Sequence, residues 1–392
     1  MKEKILALTQ KYYPQIAEFR EYLHANPELS YEEFNTAEKI TKCLDEFGIS
    51  YEKNIAKTGI LAQISGTKQD KEPKCVLLRA DMDALPVQEQ SGVSYASKIA
   101  GKMHACGHDG HTAALLGTAL ILNELKDEFS GVVKFMFQPA EENYGGAEPM
   151  IKAGVLDNPN VDAVFGFHLW GALPEGIVQI TNNAVMAGVD SFELEFIGRG
   201  GHGAHPHTTI DPIVMAAKFI NDAQTLVSRR LKPVEAGVVT IGHINAGTTY
   251  NIIPQNALLK GTVRFLNEQT QNILQNGIED IAKAVALEFG GEYKLNYTKE
   301  YPPLHNDKMM TELAQRAFAK ILGDENVIKE AYADMGAEDF AFLTRERKGA
   351  YAFVGIAKDK PVLHHSPHFC WDSQNLKVLM QGELMLVLDF LA

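Results

Sequence analysis

The sequence predicts a strand, a helix and a second strand in CVLLR (residues 75–79), GHTAALLGTALILNEL (residues 110–125) and VVKFMF (residues 132–137). Both strand segments are almost continuously apolar, which is typical of strands buried on both faces of a parallel sheet. Two further apolar runs, Gly59–Ile64 and Ala163–Phe167, extend the pattern. We therefore predict an α/β fold built on a mixed, largely parallel sheet.

Beyond about residue 190, apolar and polar positions alternate. SFELEFIG (residues 191–198) and LLKGTVRF (residues 258–265) predict antiparallel strands with one solvated face. Asp211-Pro212 supplies the N-cap and the first-turn proline of a helix, and a second helical pattern, about residues 269–289, ends at Gly290-Gly291. These elements predict a small α+β domain.

The order of the two patterns predicts that one domain is inserted into the other. The helix and strand alternation of the first pattern returns after Pro302-Pro303, and Ala350–Gly355 is typical of a buried strand. We therefore predict one α/β domain formed by residues 1–186 and 300–392, with an inserted domain at residues 187–299.

Two helical patterns lie near the N-terminus. The first runs from about Lys4 to His24. The second follows Ser30-Tyr31-Glu32-Glu33, whose spacing is that of a capping box, and ends at Gly48.

The composition argues against several classes of partner. Among 392 residues, 50 Asp and Glu outnumber 37 Lys and Arg, which gives a net charge of −13 with histidine neutral. Phosphate backbones and anionic lipid surfaces repel so acidic a protein, so neither nucleic acid nor a membrane is expected as a partner. A small-molecule substrate is expected instead.

Cysteine usage and hydropathy predict where the protein works. Four cysteines in so long a chain do not form a disulfide framework, which fits a reducing compartment. The N-terminal residues lack the features of a secretory signal. The most apolar stretch, Ala113–Leu122, is far shorter than the roughly 20 residues of a membrane span. A cytoplasmic protein is therefore expected.

Residues suited to metal binding follow the predicted strands. MHACGHDGH (residues 103–111) combines three histidines, a cysteine and an aspartate, while RADMD (residues 79–83), QPAEE (residues 138–142) and His168 each follow an apolar run. In open α/β sheets, ligands bind outside the carboxyl ends of the strands. These clusters are therefore expected to meet at one edge and to form a hydrolytic metal site.

Five side chains are the candidate ligands. Cys106 and His108 are two residues apart, so in a turn both can face one ion as thiolate and imidazole. Glu142, His168 and His365 add a carboxylate and two imidazoles. Five ligands exceed the number that one catalytic tetrahedral ion uses, so two divalent ions with a bridging ligand are predicted, with Zn²⁺ or Mn²⁺ as candidates.

Glu141 is the candidate general base. It lies next to Glu142 but on the opposite side of an extended chain, where a carboxylate can take a proton from water. The alternative is that both glutamates begin a solvated helix, since acidic first turns are common.

Alternatives also stay open for the other ligands. Cys106 and His108 could be a small buried hydrophobe beside a surface histidine, or a thiol nucleophile with its base. His364 or His368 could replace His365, because all three lie within five residues.

One motif points to a different cofactor. GRGGHG (residues 198–203) matches GxGxxG, but a dinucleotide site needs this turn to open a helix directly within a βαβ unit. The helix pattern here begins only at Asp211, so we do not expect the motif to bind NAD.

Longer segments resemble the bacterial and plant metallo-aminoacylase family, which includes hippurate hydrolases, N-acyl-amino-acid amidohydrolases and indole-acetyl-amino-acid hydrolases. The resemblance covers nearly the whole chain. It is carried in order by LLRADMDALP (77–86), MHACGHDGHTAALLG (103–117), FQPAEE (137–142), FGFHLWG (165–171), GRGGHGAHPH (198–207), NIIPQNALLKGTVR (251–264), MGAEDF (335–340) and HSPHF (365–369).

The resemblance implies a two-metal peptidase fold with an α/β catalytic domain and an inserted lid domain that also forms a homodimer or higher homo-oligomer. It also places the general base on Glu141. The family's metal ligands fall on Cys106, His108, Glu142, His168 and His365.

Other family roles fall on further residues. Asp83 matches an aspartate that orients the site, and His202 matches a histidine that polarises the scissile carbonyl from the partner subunit. Asn251 and Arg264 match the substrate-binding segment. Carboxypeptidase-like relatives carry histidine at the position of Asp81 and a bridging aspartate at that of Cys106, so this chain follows the aminoacylase branch at both.

The predicted function is metal-dependent hydrolysis of N-acyl-L-amino acids, such as hippurate or N-acetyl amino acids, to a carboxylic acid and a free amino acid. Alternatives within the family are a dipeptidase and a deacetylase of N-acetylated intermediates. Outside it, the alternatives are a metal-dependent binding protein without activity and a cysteine hydrolase that uses Cys106.

Overall fold

The computed structural model describes residues 1–69, 72–143 and 145–392. The chain divides into two compact units, and a short late segment belongs with the second. The first unit comprises Met1–Val185, His305–Tyr332 and Asp339–Ala392, and the second comprises Met186–Leu304 and Ala333–Glu338. That these units act as a catalytic domain and a lid domain stays a prediction.

The elements are numbered in chain order. Up to the end of the first long segment they are α1 (Lys2–Ala25), α2 (Phe34–Glu46), β1 (Ser50–Ile55), β2 (Gly59–Ser65), β3 (Cys75–Asp81), α3 (His108–Glu124), β4 (Val132–Gln138), α4 (Ala147–Lys152), β5 (Ala163–Pro174), β6 (Val178–Gln179) and β7 (Asn183–Met186).

The elements of the second unit are β8 (Gly188–Ile197), β9 (Gly201–His202), α5 (Pro212–Thr225), β10 (Gly237–Ala246), β11 (Ile252–Ile253), β12 (Asn256–Phe265), α6 (Glu268–Phe289) and β13 (Glu292–Tyr301). The chain then returns to the first unit with β14 (Leu304–Asn306), α7 (Lys308–Leu322), β15 (Val327–Ile328), α8 (Ala341–Glu346), β16 (Lys348–Ala357) and α9 (Asn375–Phe390).

The first unit is built on a mixed sheet with the strand order β1-β2-β4-β3-β5-β16-β6-β15. Its central pairs, β4 with β3, β3 with β5 and β5 with β16, are parallel, so the predicted α/β fold with a mixed, largely parallel sheet is confirmed. The apolar run in β2 is antiparallel to both neighbours. The second half of β2 alternates between buried and exposed residues, so its short apolar run predicts neither strand direction nor burial on both faces.

Burial of α3 explains its uniform hydrophobicity. This helix packs beside α1 and α9, and every side chain from His108 to Leu122 is buried. A helix covered on all sides has no polar face to display. Within the described residues, no helix combines the length and apolar character that crossing a bilayer requires.

The second unit contains an antiparallel sheet with the order β10-β12-β8-β13, as the alternating pattern predicts. Helices α5 and α6 pack on this sheet. The Asp211 carboxylate accepts a hydrogen bond from the Ile213 amide at the start of α5, and Gly290 ends α6 with a φ of 70°. Both helix-end signals therefore act as predicted.

The capping box predicted at Ser30–Glu33 is wrong. Helix α2 begins at Phe34, and its N-cap residue Glu33 makes no side-chain capping bond. The carboxylate of Glu28 instead accepts hydrogen bonds from the amides of Asn35 and Thr36. Ser30 and Glu33 contact distant parts of the first unit.

Candidate metal centre

The parallel strands bring the polar clusters to one edge of the first unit. In the register of β3 and β4, Asp81 pairs with Gln138, so the turns after these strands lie side by side. Helix α3 begins directly at His108, after Gly107 with a φ of 97° that favours glycine. His168 lies inside β5 rather than after its end, because this strand continues further than its apolar run.

Close packing fixes the start of α3. A Cβ atom on Gly110 would lie 2.4 Å from the Trp371 ring and 2.6 Å from the Leu169 side chain. Only glycine allows the first turn of the helix to approach these groups so closely. The position of His108 at the helix start is set by this contact.

All five predicted ligands meet in one cluster. The Cys106 Sγ atom lies 3.4 Å from His168 Nε2. The Glu142 Oε1 atom lies 3.8 Å from His108 Nε2 and 3.2 Å from His365 Nε2. Ligand atoms of Cys106, His108 and Glu142 all lie within 4.8 Å of one another. The structure therefore brings together every side chain that the sequence nominates for metal binding.

Hydrogen bonds aim the imidazoles of His108 and His168 into the cluster. His108 Nδ1 donates to the Asp83 carbonyl at 2.9 Å, and His168 Nδ1 donates to the Leu169 carbonyl at 2.8 Å. Because carbonyl oxygens only accept, each neutral ring has its lone pair on Nε2. Backbone carbonyls commonly orient metal-binding histidines in this way.

One buried nitrogen of the cluster, His108 Nε2, lacks a hydrogen-bond partner among the described residues. It lies 3.8 Å from Glu142 Oε1, which is itself 3.2 Å from His365 Nε2. A buried acceptor without a partner costs about 1–3 kcal/mol. A divalent cation between these lone pairs removes that cost, so the residues present fit a metal centre.

Electrostatics support the same interpretation. Burial lowers the pKa of His108, but Asp81 and Asp83 outweigh it and raise the pKa to about 10. Burial, followed by the charges of Glu142 and Glu141, raises the pKa of the Cys106 thiol well above its usual value. The cluster is rich in negative charge, and a bound cation reverses both effects because it favours thiolate and neutral imidazole.

The structure separates the roles of the neighbouring histidines His364 and His365. His364 Nε2 accepts a hydrogen bond from the Gly171 amide at 2.9 Å, while its Nδ1 faces Cys106 Sγ at 3.9 Å. The neutral ring therefore has its proton on Nδ1, which cannot bind a metal. His365 directs Nε2 towards Glu142, and this hydrogen bond raises the pKa of His365. The geometry favours His365 as the ligand.

Two further histidines are engaged elsewhere. His111 Nδ1 is 2.7 Å from Asp81 Oδ1, and His111 Nε2 accepts from the Leu169 amide at 2.9 Å. His368 Nδ1 donates to the Gln90 carbonyl at 2.8 Å. The neutral His111 ring therefore has no lone pair left for a metal ion, and His368 is held against Gln90.

Asp83 holds the turn that carries the paired glutamates. Its Oδ1 accepts from the Glu141 amide and its Oδ2 from the Glu142 amide, both at 3.1 Å. Ala140, directly before Glu141, has a φ of 54°, a conformation that costs an alanine roughly 1–2 kcal/mol. Side-chain hydrogen bonds therefore hold this turn in a shape that the backbone alone disfavours.

A buried network supports the site and was not predicted from the sequence. The Arg79 guanidinium donates to Asp81 at 2.7 Å and to Asp339 at 2.8 Å, and the Gln138 amide donates to Asp339 at 2.8 Å. Asp339 also accepts from the Ala147 amide. The sequence signal that could have revealed this network is Arg79 within an otherwise apolar strand, because a buried guanidinium needs carboxylate partners.

Comparison with known proteins agrees with this geometry. Residues 77–386 match the model of peptidase family M20/M25/M40. The chain belongs to this family. Its members are metallo-hydrolases with a dinuclear metal centre, so the predicted enzyme class of metal-dependent amidohydrolase is confirmed.

Three relatives illustrate the similarity. The N-acetyl-L-cysteine deacetylase of Bacillus subtilis is 40% identical over 358 residues, 91% of this chain and 84% of that protein. The N-acyl-L-amino acid amidohydrolase of Geobacillus stearothermophilus is 41% identical over 306 residues, 78% of this chain and 81% of that protein. The crystal structure of the Bacillus subtilis YXEP protein, described as a dinuclear metal binding peptidase, is 33% identical with a TM-score of 0.85, covering 97% and 99% of the two chains.

The second unit of this peptidase-family enzyme holds the three predicted lid residues. His202 in β9 pairs with Ile252 in β11, and the Gly203 amide donates to the Asn251 carbonyl at 2.9 Å, so His202 and Asn251 lie close together. Strand β12 begins at Asn256, shortly after Asn251 in the chain. Arg264 lies eight residues further along this strand, a distance of about 26 Å at ~3.3 Å per residue. The unit therefore places Arg264 far from the other two.

Proposed function

We propose that this enzyme hydrolyses the amide bond of N-acyl-L-amino acids and releases a carboxylic acid and a free amino acid. The observation that carries the proposal is the cluster of one thiol, three imidazoles and one carboxylate, with Glu141 on the same turn as Glu142. The names of the deacetylase and amidohydrolase relatives support the substrate class.

The cluster would hold two divalent metal ions, with Zn²⁺ or Mn²⁺ as candidates. Its ligands would be Cys106, His108, Glu142, His168 and His365. When bound, such ions supply positive charge that acidifies water and polarises a carbonyl group.

The protein's own groups account for the proton transfers. Glu141 is 8% exposed, and its carboxylate takes a proton from the attacking water. The protonated Glu141 then delivers that proton to the nitrogen of the leaving amine, so one side chain serves as base and as acid. Asp83 keeps Glu141 in place through the amide hydrogen bond.

The second unit supplies the remaining contacts in this proposal. His202, contributed by a partner subunit, donates a hydrogen bond to the carbonyl oxygen as negative charge develops on it. Asn251 and Arg264 bind the carboxylate of the amino acid, which needs a local donor in a protein with a net charge of −13. Within one chain Arg264 lies far from His202 and Asn251. This distance supports a model in which Arg264 contributes to one active site of the oligomer, while His202 and Asn251 of the same chain contribute to another.

A homodimer or larger homo-oligomer is part of the proposal. Strand β10 is at the edge of the second unit's sheet, and edge strands readily pair with another chain. The cytoplasmic location stays a prediction.

The test is a substrate panel measured with the metal-loaded protein and after chelation. Hippurate, N-acetyl amino acids and dipeptides are compared with added Mn²⁺ or Zn²⁺. We expect N-acyl amino acids to have the highest kcat/KM, with activity lost to a chelator and restored by metal. Hydrolysis of dipeptides alone would favour the dipeptidase, and metal binding without hydrolysis would favour the binding protein.

Deacetylation of N-acetylated amino acids is the second candidate, because a 40% identical relative is named for that reaction. A strong preference for acetyl over benzoyl substrates would support it. Activity that survives chelation and is lost to a thiol reagent would instead favour a cysteine hydrolase that uses Cys106.

A further inference from the structure

The carboxylate of Glu33 reaches the turn that presents the two glutamates. Its Oε1 accepts a hydrogen bond from the Ala140 amide at 2.9 Å, and its Oε2 accepts one from the Thr58 hydroxyl at 2.6 Å. The side chain is fully buried. Glu33 thus connects the start of α2 with a backbone segment more than a hundred residues away.

Three successive amides of this turn bond to side-chain carboxylates. The Ala140 amide bonds to Glu33, while the Glu141 and Glu142 amides bond to Asp83. The Ser30 hydroxyl in turn donates to Asp83 at 2.7 Å. Ser30 and Glu33, which the sequence suggests as a capping box, therefore support both carboxylate contacts of the turn.

The positive φ of Ala140 makes the Glu33 contact important. A residue with a Cβ atom disfavours a φ of 54°, so without the Glu33 hydrogen bond the Pro139–Ala140 peptide relaxes towards another conformation. The Glu141 and Glu142 amides both keep their bonds to Asp83. Because Glu141 directly follows the strained residue, its side chain is displaced more than that of Glu142.

We propose that Glu33 is a positioning residue for the reaction, acting through the Ala140 amide to fix the carboxylate of Glu141. The inference rests on the proposed role of Glu141 as the general base. Displacement of a reacting group by about 1 Å can reduce the rate roughly 10²-fold, so loss of this hydrogen bond is expected to act on kcat.

Glu28 provides a matched control in the same segment. Its carboxylate also accepts backbone hydrogen bonds, from the amides of Asn35 and Thr36, but these only cap α2. Removing Glu28 tests the effect of a weakened helix start without touching the Ala140 turn.

The experiment compares Glu33→Ala, Glu33→Gln and Glu28→Ala as metal-loaded full-length enzymes. For each, kcat and KM on an N-acetyl amino acid, bound metal per chain and Tm are measured. We expect Glu33→Ala to lower kcat about 10- to 100-fold with KM and metal content nearly unchanged. Glu33→Gln retains most of kcat, because its amide oxygen accepts from Ala140 and its NH₂ group donates to Thr58. Glu28→Ala lowers Tm but not kcat.

Several results would overturn the proposal. Normal kcat in Glu33→Ala does so, as does an equal loss of kcat in Glu28→Ala or a failure of Glu33→Gln to restore the rate. If Glu33→Ala does not fold, Glu33→Asp replaces it, because the shorter carboxylate cannot bridge Ala140 and Thr58. A fully active Glu141→Gln variant refutes the proposed base separately, whatever the Glu33 variants show.

Discussion

Glu141 and Glu142 are adjacent, yet their environments predict different consequences of substitution. Glu142 directs one carboxylate oxygen at His108 Nε2 and His365 Nε2 in the ligand cluster, whereas Glu141 carries the proposed proton transfer. We expect Glu141→Gln to lower kcat by about 10²–10⁴-fold while metal content stays normal. Glu142→Gln should instead lose metal. Metal analysis beside steady-state kinetics measures both.

The control for these two variants is Glu148→Gln, which changes an exposed carboxylate paired with Lys152 at 2.9 Å. It should leave both rate and metal content unchanged. A Glu141→Gln enzyme with near-normal turnover would show that another group accepts the proton.

At the residue scale, the proximity of the candidate ligands could be predicted because part of it is encoded locally. Cys106 and His108 lie in one turn, and Glu142 follows the end of β4. The choice between His364 and His365 could not be made in this way, since it depends on which ring nitrogen the Gly171 amide engages. That bond joins residues 193 positions apart and leaves no local pattern.

At the element scale, helix-end signals were reliable where their partners are local. Asp211 bonds to an amide two residues away, so the sequence alone predicts it. Ser30 and Glu33 have an equally suitable spacing, but their side chains bond to Asp83 and Ala140 instead. Tertiary partners compete with local ones for the same polar groups, and the sequence pattern does not show which wins.

The packing of α9 against α3 yields a prediction about pH and stability. Glu383 on α9 is buried and hydrogen-bonded with Thr118 on α3, and burial raises the pKa of Glu383 to about 8. In the unfolded chain this carboxyl ionises near pH 4.3. Between these pH values the folded state holds one more proton, so stability falls as pH rises and stops falling above about pH 8.

Replacement of this carboxyl by an amide removes the proton difference. We expect Glu383→Gln to raise Tm by about 2 °C or more at pH 8 and to have little effect near pH 5. Thermal unfolding of both proteins across this range measures the difference. The exposed Glu312 on α7, changed to Gln, is the control. A constant difference in Tm at all pH values would contradict the assignment.

At the scale of the whole molecule, the change from continuous to alternating hydrophobicity predicts where a second compact unit begins. It does not predict that Ala333–Glu338 belongs with that unit. Six residues are too few to show a periodicity, and their placement depends on pairing such as that of Met186 with Asp334.

Self-association is the prediction that concerns the complete protein. Strand β10 pairs with β12 on one side and is the edge of the sheet, with Ile244 51% exposed on it. We expect light scattering after size exclusion to give twice the chain mass of 43.2 kDa or a larger multiple. Ile244→Lys should shift the protein towards the monomer, because a charged side chain on an edge strand opposes pairing.

The matched control is Leu287→Lys on α6, where the side chain is 81% exposed and the helix packs beside β13, at the opposite edge of the sheet. This variant adds the same charge and should keep the oligomer intact. If both variants dissociate, net charge rather than the β10 edge controls assembly. If the unmodified protein has the mass of one chain at all concentrations, His202 cannot act from a partner subunit, and the proposed stabilisation of the carbonyl oxygen in trans is wrong.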